Sequence, residues 1–578
     1  MKKILLFMLV LSVFSTHSLA SRNYSAEKQN YLKKNFVAST NSQYDPMDVL
    51  GILNILLDTY QTDYTNLGLT WEDITEAING NPDAMIEKAK YKNSTELPFT
   101  WKTSGKYKVL TRLNLSVIRC YSFDGKYFKN LEVLFCPTDI KYLNVSKNYM
   151  LKELYCSFGF LANIDIDMSN NRNLEELSFF ACGITSLNIS NNPKLKGLYC
   201  TYNKLKVLDV SKNPDLEVIE CEDNQIMALD VSKNPKLTTL ICWGNKIPVL
   251  DVSKNTELVE FDCGGNQLTV LDISKNPKLV QFDCEDNHLK VLDTSKNPLL
   301  ESLSCGNNQL TYLDVIKNPK LVEFSCGKNQ LKVLDISKNP KLEEFGCEKN
   351  QLTVLDISNN PNLKSIYCFE NQLKLSTLKG DFSKLDIYSK LGPQALLKGG
   401  TKGFFELIDL STEYNINGTL TIFKWYDKAT NQEVGVFASK GTFYAGPANA
   451  GKTLICKMTN TLYPGLILEY EVKISNSTTQ GLSAKTMDFN IPENFTLTSS
   501  QAEASNLKIF PNPIIDILKI NTPLHIETVS VYDYSGNEVK KISPVSSKEI
   551  NLQGLSSGNY ILTIQTSQGV ITKKIIKK

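Results

Sequence analysis

Between residues 109 and 383, apolar positions recur with a long, fixed period instead of the short period of a helix or a strand. A representative unit reads Leu-Glu-Val-Ile-Glu-Cys-Glu-Asp-Asn-Gln-Ile from Leu216 to Ile226, then Met-Ala-Leu-Asp-Val-Ser-Lys-Asn-Pro up to Pro235. The general pattern is L-x-x-[LI]-x-C-x-x-N-x-[LI]-x-x-L-D-[VI]-S-K-N-P-x. Its cysteine returns every 21 residues, at Cys200, Cys221, Cys242, Cys263, Cys284, Cys305, Cys326, Cys347 and Cys368. Nine cysteines in phase establish an internal repeat.

This pattern is that of a leucine-rich repeat with cysteine at one of the leucine positions. Because a single unit cannot bury its own apolar face, successive units should stack as coils around a continuous core. Looser units begin at Leu131, Leu151 and Leu174, so about twelve coils span roughly 55–60 Å at ~4.8 Å per coil. Within each unit, the pattern of apolar residues in the first half recurs in the second half. This recurrence predicts a short second strand on the back of each coil. We therefore predict a β-rich leucine-rich repeat solenoid, with a small α-helical N-terminal cap and C-terminal β-sandwich domains.

The asparagine that follows each cysteine predicts a ladder of side-chain hydrogen bonds. Its amide can satisfy backbone groups that are left open where the chain turns out of the strand. The Ser-Lys-Asn-Pro segment supplies turn residues on the opposite side of each coil. The ladder positions are Asn224, Asn245, Asn266, Asn287, Asn308, Asn329, Asn350 and Asn371.

Outward positions alternate with inward ones along a strand, so the residues around the second leucine and after the cysteine form one concave face. We predict a ligand-binding face there, with aromatic anchors in an acidic field; ordinary solvated charge is the alternative reading. The candidate residues are Tyr199, Tyr202, Glu220, Glu222, Asp223, Trp243, Glu260, Asp262, Asp283, Glu285, Asp286, Glu323, Glu344 and Tyr367. Asp262 and Asp283 hold the same position on consecutive units, so a calcium ion between them is a further alternative. We expect the opposite corner to be basic, because it carries Lys212, Lys233, Lys254, Lys275, Lys296, Lys317 and Lys338.

The fourteen cysteines allow metal binding, catalysis or disulfides as alternatives to a buried ladder. Zinc sites need close pairs such as C-x-x-C, and none occurs in the sequence. A disulfide between rungs would pinch adjacent coils together, because it requires Cβ atoms about 3.8 Å apart. We therefore expect reduced, buried thiols acting as small apolar groups, with no metal and no cofactor.

Composition argues against an enzyme and against a nucleic-acid partner. Apart from His17, the chain has only His288 and His525, and no nucleophile or metal motif accompanies them. Lys+Arg 63 against Asp+Glu 61 gives a net charge of +2, and Lys2 and Lys3 supply both excess charges. A nearly neutral chain disfavours binding to nucleic acid or to an anionic membrane surface.

The N-terminal 108 residues precede the repeat. A basic start, an apolar run from Ile4 to Phe14 and the small residues up to Ala20 predict a signal peptide over residues 1–20. No later run is long and apolar enough to span a membrane. Helices are expected after Asp45, after Thr70 and at Pro82, and together they would form a cap over residues 21–108 that shields the first coil.

The segment after the repeat predicts two β domains joined by a linker. Alternating strands over 384–475 indicate a β-sandwich with Trp425 and Cys456 in its core, and this segment resembles immunoglobulin-like or PKD-like domains. Residues 476–504, rich in Ser, Thr and Asn, read as a linker. Residues 505–578 read as a small β-sandwich that opens with Pro511-Asn512-Pro513 and ends in lysines.

That last domain resembles the type A C-terminal sorting domain of type IX secretion. The resemblance rests on the PNP opening, on the strand containing Gly558 and Tyr560, and on the basic end at Lys578. It implies recognition by the secretion machinery, passage through the outer membrane of a Gram-negative bacterium, and attachment to the cell surface or release.

The cysteine-phased repeats resemble those of internalin-like surface proteins, a family whose role is adhesion and biofilm formation. That resemblance implies a protein partner or a surface glycan on host or neighbouring cells. Two alternatives remain open at this point. The chain could be a structural matrix protein that self-associates through an acidic front and a lysine-rich back, or an inhibitor or enzyme with its active segment in 21–108.

Overall fold

A computed structural model describes most of the chain between residues 42 and 578. The described ranges are 42–58, 67, 69–78, 82–89, 97–116, 118–137, 139–158, 166–403, 406–445, 449–475, 508–511, 513–532, 538–543, 547–566 and 569–578. The predicted signal peptide and the predicted linker over 476–504 lie outside these ranges. The chain divides into two compact units, 1–266 and 267–578, and each is described by itself.

The first unit opens with the predicted helices: α1 (Pro46–Asp58), α2 (Trp71–Ile78) and α3 (Pro82–Lys88). The cap that Thr70 was expected to supply is present, because the Asp73 N–H donates to Thr70 Oγ1 at 3.2 Å and the Thr70 N–H donates to Asp73 Oδ2 at 2.6 Å. Helix α1 lies directly on the first coil. A Cβ at Gly51 would come within 2.4 Å of the Phe128 ring, so only glycine permits this approach.

A hairpin and a run of short parallel strands form the sheet of the first unit. The hairpin β1 (Phe99–Ser104) and β2 (Tyr107–Asn114) is antiparallel, and β2 then pairs in parallel with the first strand of the repeat. The following strands, in sheet order, are β4 (Val133–Phe135), β6 (Glu153–Ser157), β7 (Glu176–Phe180), β8 (Gly197–Tyr199), β9 (Val218–Glu220), β10 (Thr239–Ile241) and β11 (Glu260–Asp262).

The second unit continues the same strand pattern. Its repeat strands are β12 (Gln281–Asp283), β13 (Ser302–Ser304), β14 (Glu323–Ser325), β15 (Glu344–Gly346) and β17 (Ser365–Tyr367), all paired in parallel with exact residue alignment. In each three-residue strand the middle side chain is buried and its two neighbours face outward, as in Glu323-Phe324-Ser325. The chain is thus the predicted repeat solenoid.

The predicted second strand on the back is present near the ends of the repeat. There β3 (Ser122–Asp124) pairs with β5 (Tyr142–Asn144), and β16 (Leu355–Asp356) pairs with β18 (Leu378–Lys379). The described coils between Val145 and Val354 have turns instead of strands on the back. In these coils the aspartate side chain accepts the backbone N–H two residues later and closes a turn, as Asp230 does from Ser232.

The inward side chains of each coil form a continuous apolar core. In one unit, Leu216, Ile219, Cys221 and Ile226 are all completely buried. The predicted asparagine ladder is confirmed beside them: the Leu205 N–H donates to Asn224 Oδ1 at 2.9 Å, and Asn224 Nδ2 donates to the carbonyls of Cys200 and Cys221. Each rung therefore ties two coils together.

A second asparagine ladder runs through the Ser-Lys-Asn-Pro corner. The sequence predicts only turn formation for that segment. Asn234 is fully buried, and its Nδ2 donates to Val210 O at 3.0 Å and to Asn213 O at 2.8 Å. Its Oδ1 has no hydrogen-bond partner, a condition repeated at Asn148, Asn171, Asn192, Asn213, Asn297, Asn339 and Asn360. In this ladder, these asparagine side chains therefore form hydrogen bonds through Nδ2 and not through Oδ1.

Twelve of the fourteen cysteines are buried thiols, as predicted. Cys136 and Cys156 are instead joined as a disulfide, so the expectation of thiols throughout is wrong for this pair. Their Cα atoms are 4.9 Å apart, within the range that a disulfide accepts between neighbouring coils. Two cysteines therefore connect coils covalently, and the others pack as small apolar side chains.

The last coil of the second unit is closed by a side chain that imitates a ladder asparagine. Gln394 Oε1 accepts the Asn371 N–H at 3.1 Å, and Gln394 Nε2 donates to Cys368 O at 2.8 Å. Just beyond the ladder, the buried Glu413 carboxylate accepts the Ser376 N–H at 2.9 Å, and the Tyr463 hydroxyl donates to Leu378 O at 2.8 Å. The β domain that follows is therefore packed directly on the end of the repeat.

That β domain contains three sheets, of four, three and two strands, and Trp425 and Cys456 are buried in its core, as predicted. Trp425 lies opposite Cys456 in neighbouring strands and its ring meets Phe443 at 5.2 Å. The strands are β19 (Leu397–Lys402), β20 (Ile408–Asp409), β21 (Asn415–Ile416), β22 (Thr419–Leu420), β23 (Ile422–Asp427), β24 (Phe437–Ser439), β25 (Thr442–Tyr444), β26 (Thr453–Thr459) and β27 (Leu468–Ile474).

The C-terminal domain is also built from two antiparallel sheets. One contains β28 (Lys508–Phe510), β29 (Ile517–Asn521) and β32 (Glu549–Asn551). The other contains β30 (Ile526–Tyr532), β31 (Glu538–Ile542), β33 (Gly558–Thr566) and β34 (Gly569–Lys577). Their shared core includes Leu518, Val529, Leu562 and Ile564. Among the described residues, no helix has the length and apolar character needed to cross a membrane.

Candidate ligand-binding face

Here the sheet face means the outward side chains of the repeat strands together with the two residues after each cysteine position. In the first unit, Tyr199, Glu220, Glu260 and Asp262 point outward from their strands and are half-buried. The residues after the cysteine project more freely: Tyr202 is 50% exposed and Trp243 is 39% exposed, with Glu222 and Asp223 between them in the sequence. The structure thus places these candidates together on one side of the coil.

One aromatic column follows the strands of the first unit. The Arg112 guanidinium lies 4.6 Å from the Phe135 ring centre, and Phe135 stacks on Tyr155 with ring centres 4.6 Å apart. In the strand register, Tyr155 is followed by Ser178 and then by Tyr199. The serine side chain is much smaller than either tyrosine, and we call the position between the two tyrosines the tyrosine slot.

A second aromatic column follows the turns beside the strands. Phe158, Phe180 and Tyr202 meet edge to face, with ring centres 5.6 Å apart in both contacts. Tyr202 continues the column through a hydrogen bond between its hydroxyl and the Asp223 carboxylate. Phe158 is 44% exposed, so both ends of this aromatic column are accessible. Sequence reasoning missed Phe135, Tyr155, Phe158 and Phe180, because they belong to the loose upstream units.

The turn after each cysteine position has a left-handed residue at its centre. Tyr202 has φ of 58° and Asp223 has φ of 49°, a conformation that costs energy for residues other than glycine. Gly244 and Gly265 occupy the same position in the following coils, with φ of 70° and 59°. The Asp223 carboxylate lies over Gly244, so the absence of a side chain there makes room for it.

The carboxylates of the first unit are crowded and partly withdrawn from water. Burial raises the pKa of the Glu222 carboxyl above its ordinary value, although the Thr201 hydroxyl donates a hydrogen bond to it. Burial likewise raises the pKa of Glu176, and the neighbouring Glu153 carboxylate adds to that rise. Such a face gains free energy from a cationic group that compensates the buried charge.

The two edges of the strands differ in charge. On the outward strand positions of β6 to β11, and on the two residues after each cysteine position there, the sequence has no lysine or arginine. Lysines lie one residue before two of these strands, where Lys152 pairs with Glu132 at 2.6 Å and Lys196 with Glu175 at 2.7 Å. The face itself is therefore of a single sign.

The predicted candidates of the second unit also lie on its sheet face. Glu323 and Glu344 are exposed, Asp286 is exposed, and Asp283 and Tyr367 are half-buried. Burial raises the pKa of Asp283 to about 6, even though its Oδ1 accepts the Glu285 N–H at 2.8 Å. Basic residues interrupt this part, since Lys349 lies 3.8 Å from Glu370. The second unit is thus less uniform in charge than the first.

The calcium alternative receives no support from the carboxylates themselves. Asp262 Oδ1 already accepts the Gly264 N–H at 3.0 Å, and Asp283 Oδ1 is held by Glu285 as described above. Within the described ranges, no group of three or more His, Cys, Asp or Glu side chains is arranged to hold a metal ion.

The back of the repeat carries both signs of charge, so the expectation of a basic back is wrong. The predicted lysines, Lys212 to Lys338, are exposed. Each unit also places an aspartate beside them, and in all of these the side-chain Oδ1 accepts the N–H two residues later, as Asp230 does from Ser232 at 2.9 Å. The remaining members of this column are Asp209, Asp251, Asp272, Asp293, Asp314, Asp335 and Asp356.

Comparison with known families and structures adds the following findings. Residues 508–578 match the family described as the secretion system C-terminal sorting domain. A sorting domain is present. It indicates export and attachment to the cell surface by type IX secretion. Residues 345–368, before it, match the LVIVD repeat. No curated protein matches the sequence.

Several solved structures share the repeat fold. The functional domain of InlJ from Listeria monocytogenes, which includes a cysteine ladder, is 23% identical with a TM-score of 0.47, covering 63% of this chain and 91% of that one. The internalin InlF from the same organism is 21% identical, with a TM-score of 0.39 and coverage of 46% and 91%. A leucine-rich repeat protein of Leptospira interrogans is 21% identical, with a TM-score of 0.38 and coverage of 47% and 78%.

Proposed function

We propose that this chain is a non-enzymatic binding protein displayed on the cell surface, and that the sheet face of the repeat is its ligand site. The partner would be a protein, or a surface glycan, on host or neighbouring cells, and binding would serve adhesion and biofilm formation. The sorting domain at residues 508–578 supports the location, because its role is export and surface attachment. Passage would be through the outer membrane of a Gram-negative bacterium.

The observation that supports this proposal most strongly is that, in the first unit, the outward side chains of the sheet face are distinct from the buried side chains of the core. Beneath the outward Val218 and Glu220, the side chain of Ile219 is completely buried. The face residues can therefore vary in chemistry without disturbing the packing that holds the coils together. Two aromatic columns of three rings each, set among carboxylates, form the kind of surface that anchors a partner.

The end of the repeat supports a display role. The buried Glu413 carboxylate and the Tyr463 hydroxyl bond to the last turns of the repeat, so the following β domain closes the core. An exposed apolar end would invite uncontrolled association, and terminal caps prevent it in repeat proteins. The binding surface is thereby restricted to the side of the coils.

The proposal is tested on intact cells that carry the chain. Cells that lack it should lose adhesion to the host or neighbouring cells and should form less biofilm, and restoring the full chain should restore both. A strain without the chain that adheres and forms biofilm normally would contradict the proposal. Concentration-dependent self-association abolished by salt would favour the matrix-protein alternative instead.

A further inference from the structure

We propose that the two aromatic columns of the first unit dock an extended, arginine- or lysine-bearing segment of the partner. One cationic side chain of that segment enters the tyrosine slot above Ser178. The inference rests on the proposed function, since it names the chemistry of the partner at the same face. It concerns a partner protein, and a glycan partner is treated below as an outcome of the test.

The tyrosine slot has the dimensions and polarity for a cationic side chain. Tyr155 and Tyr199 occupy one column two coils apart, about 9.6 Å at ~4.8 Å per strand, with Ser178 between them. Their hydroxyls are tied down on one side, because Tyr155 donates to Glu153 Oε2 at 3.2 Å and Tyr199 donates to Glu176. The ring faces thus remain in place with carboxylates beside them, a combination that attracts ammonium and guanidinium groups.

The start of the same column already shows this interaction. The Arg112 guanidinium lies 4.6 Å from the Phe135 ring centre at the start of the same column. Further along the column the rings continue, but the outward positions of β6 to β11 supply no cation of their own. A partner would supply it, and charge complementarity therefore selects a basic segment over an acidic or neutral one.

The spacing of the column also predicts the spacing of the partner's cations. Two coils beyond Ser178 the same position is held by Glu220, again about 9.6 Å away. An extended segment in the polyproline II conformation has three residues per turn and rises ~3.1 Å per residue, so side chains three residues apart point the same way and lie about 9.3 Å apart. We expect basic residues at every third position to bind best, with one in the slot and the next at Glu220.

The test uses the full-length protein and a fluorescent peptide of repeated Arg-Ser-Ser, read by anisotropy at low salt. Binding is expected for this peptide and not for the same peptide with Glu in place of Arg. The double substitution Tyr155→Leu with Tyr199→Leu keeps every carboxylate and removes the rings, and it should weaken binding about tenfold. The matched control, Tyr142→Leu with Tyr149→Leu, removes two exposed tyrosines that lie away from the sheet face of the first unit and should leave the affinity unchanged.

Two results would overturn the inference: no binding of the arginine peptide, or equal binding by the double leucine variant, which would mean attraction by carboxylates alone. Circular dichroism melts show whether the variants fold. If the double variant does not fold, the single substitution Tyr199→Leu decides, since it also keeps every carboxylate and should also weaken binding. If cells are bound through the sheet face but the arginine peptide does not compete, or if a neutral glycan competes instead, this inference fails while the proposed function stands.

Discussion

Thr294 Oγ1 donates a hydrogen bond to Asn318 Oδ1 at 2.8 Å, and both side chains are completely buried. Thr294 stands where the neighbouring units have valine or isoleucine, as at Val315. This bond gives Asn318 the acceptor contact that the equivalent Asn339 lacks. One unit of the repeat therefore contains a natural solution to the open acceptor of the second asparagine ladder.

The substitution Val315→Thr should supply the same bond to Asn339, whose Nδ2 already donates to Val315 O at 3.0 Å. Because threonine has nearly the shape of valine and the acceptor is unsatisfied, we expect unchanged or higher stability, by up to about 1 kcal/mol. The reverse change, Thr294→Val, should cost about 1–2 kcal/mol by leaving Asn318 Oδ1 unpaired. Denaturant unfolding measures both, and equal destabilisation by the two changes would contradict this explanation.

The cysteines should be invisible to thiol reagents until the protein unfolds. Burial raises the pKa of the Cys368 thiol to about 12 and that of Cys221 well above its ordinary value, so neither is a thiolate at neutral pH. A thiol titration should find none in the native protein, twelve after unfolding without reductant, and fourteen with reductant, given the pair Cys136 and Cys156. Reaction of the native protein would show that the ladder is accessible.

The N-terminal cap should be most stable below neutral pH. Asp48 is buried, and burial raises its pKa from 3.8 to about 7, although its Oδ2 accepts the Leu110 N–H at 2.8 Å. Since the folded pKa exceeds the unfolded one, its protonation favours folding, and that contribution is lost as pH rises from about 4 to 7. Hydrogen exchange of α1 should therefore be slower at pH 5 than at pH 7.5, relative to the intrinsic rates.

The control for the cap is Asp48→Asn, which keeps an acceptor for the Leu110 N–H and cannot ionise. This variant should show protection of α1 that does not depend on pH over the same interval. If it retains the full pH dependence of the natural chain, another group is responsible.

Binding of a cationic partner should weaken in mild acid. The pKa of Asp283 is raised to about 6, first by burial, so this carboxyl loses its charge as pH falls through that value. The neighbouring Glu285 also raises this pKa, so the effect belongs to the acidic surface around both. Affinity should fall between pH 7.5 and pH 5, and Asp283→Asn should flatten the profile. A profile that is flat in the natural chain would exclude a role for this carboxylate.

The repeat was predictable because its period is strict. The cysteine phase alone located the inward side chains, the asparagine that ties neighbouring coils, and the outward face with Glu220 and Trp243. The core of the following domain was equally predictable, since Trp425 and Cys456 were large or apolar residues in alternating strands. In each case a repeated local pattern matched the packing.

Some features that the sequence did not predict lie where the spacing between coils departs from 21 residues. The contact of Phe158 with Phe180 joins coils that are offset by 23 residues, as the pairing of Tyr155 with Ser178 shows. The 21-residue template therefore could not align these rings. Gln394 was missed for a different reason: it takes over an asparagine's role after the repeat has decayed, and only the hydrogen bonds show it. The aspartates on the back are also visible in the sequence, but the prediction of a basic back rested on the lysines alone.

The central claim is tested most directly by measuring how the purified full-length chain binds to the host cells, neighbouring cells or matrix that we propose as its partners. The face variant reverses charge on the sheet face and changes no core residue; it combines Glu220→Lys, Asp262→Lys and Asp283→Lys. The matched control, the back variant, reverses charge on the back and combines Lys212→Glu, Lys233→Glu and Lys254→Glu. We predict that the face variant loses binding and melts at nearly the same temperature as the natural chain, and that the back variant binds normally. Full binding by a folded face variant would contradict the account.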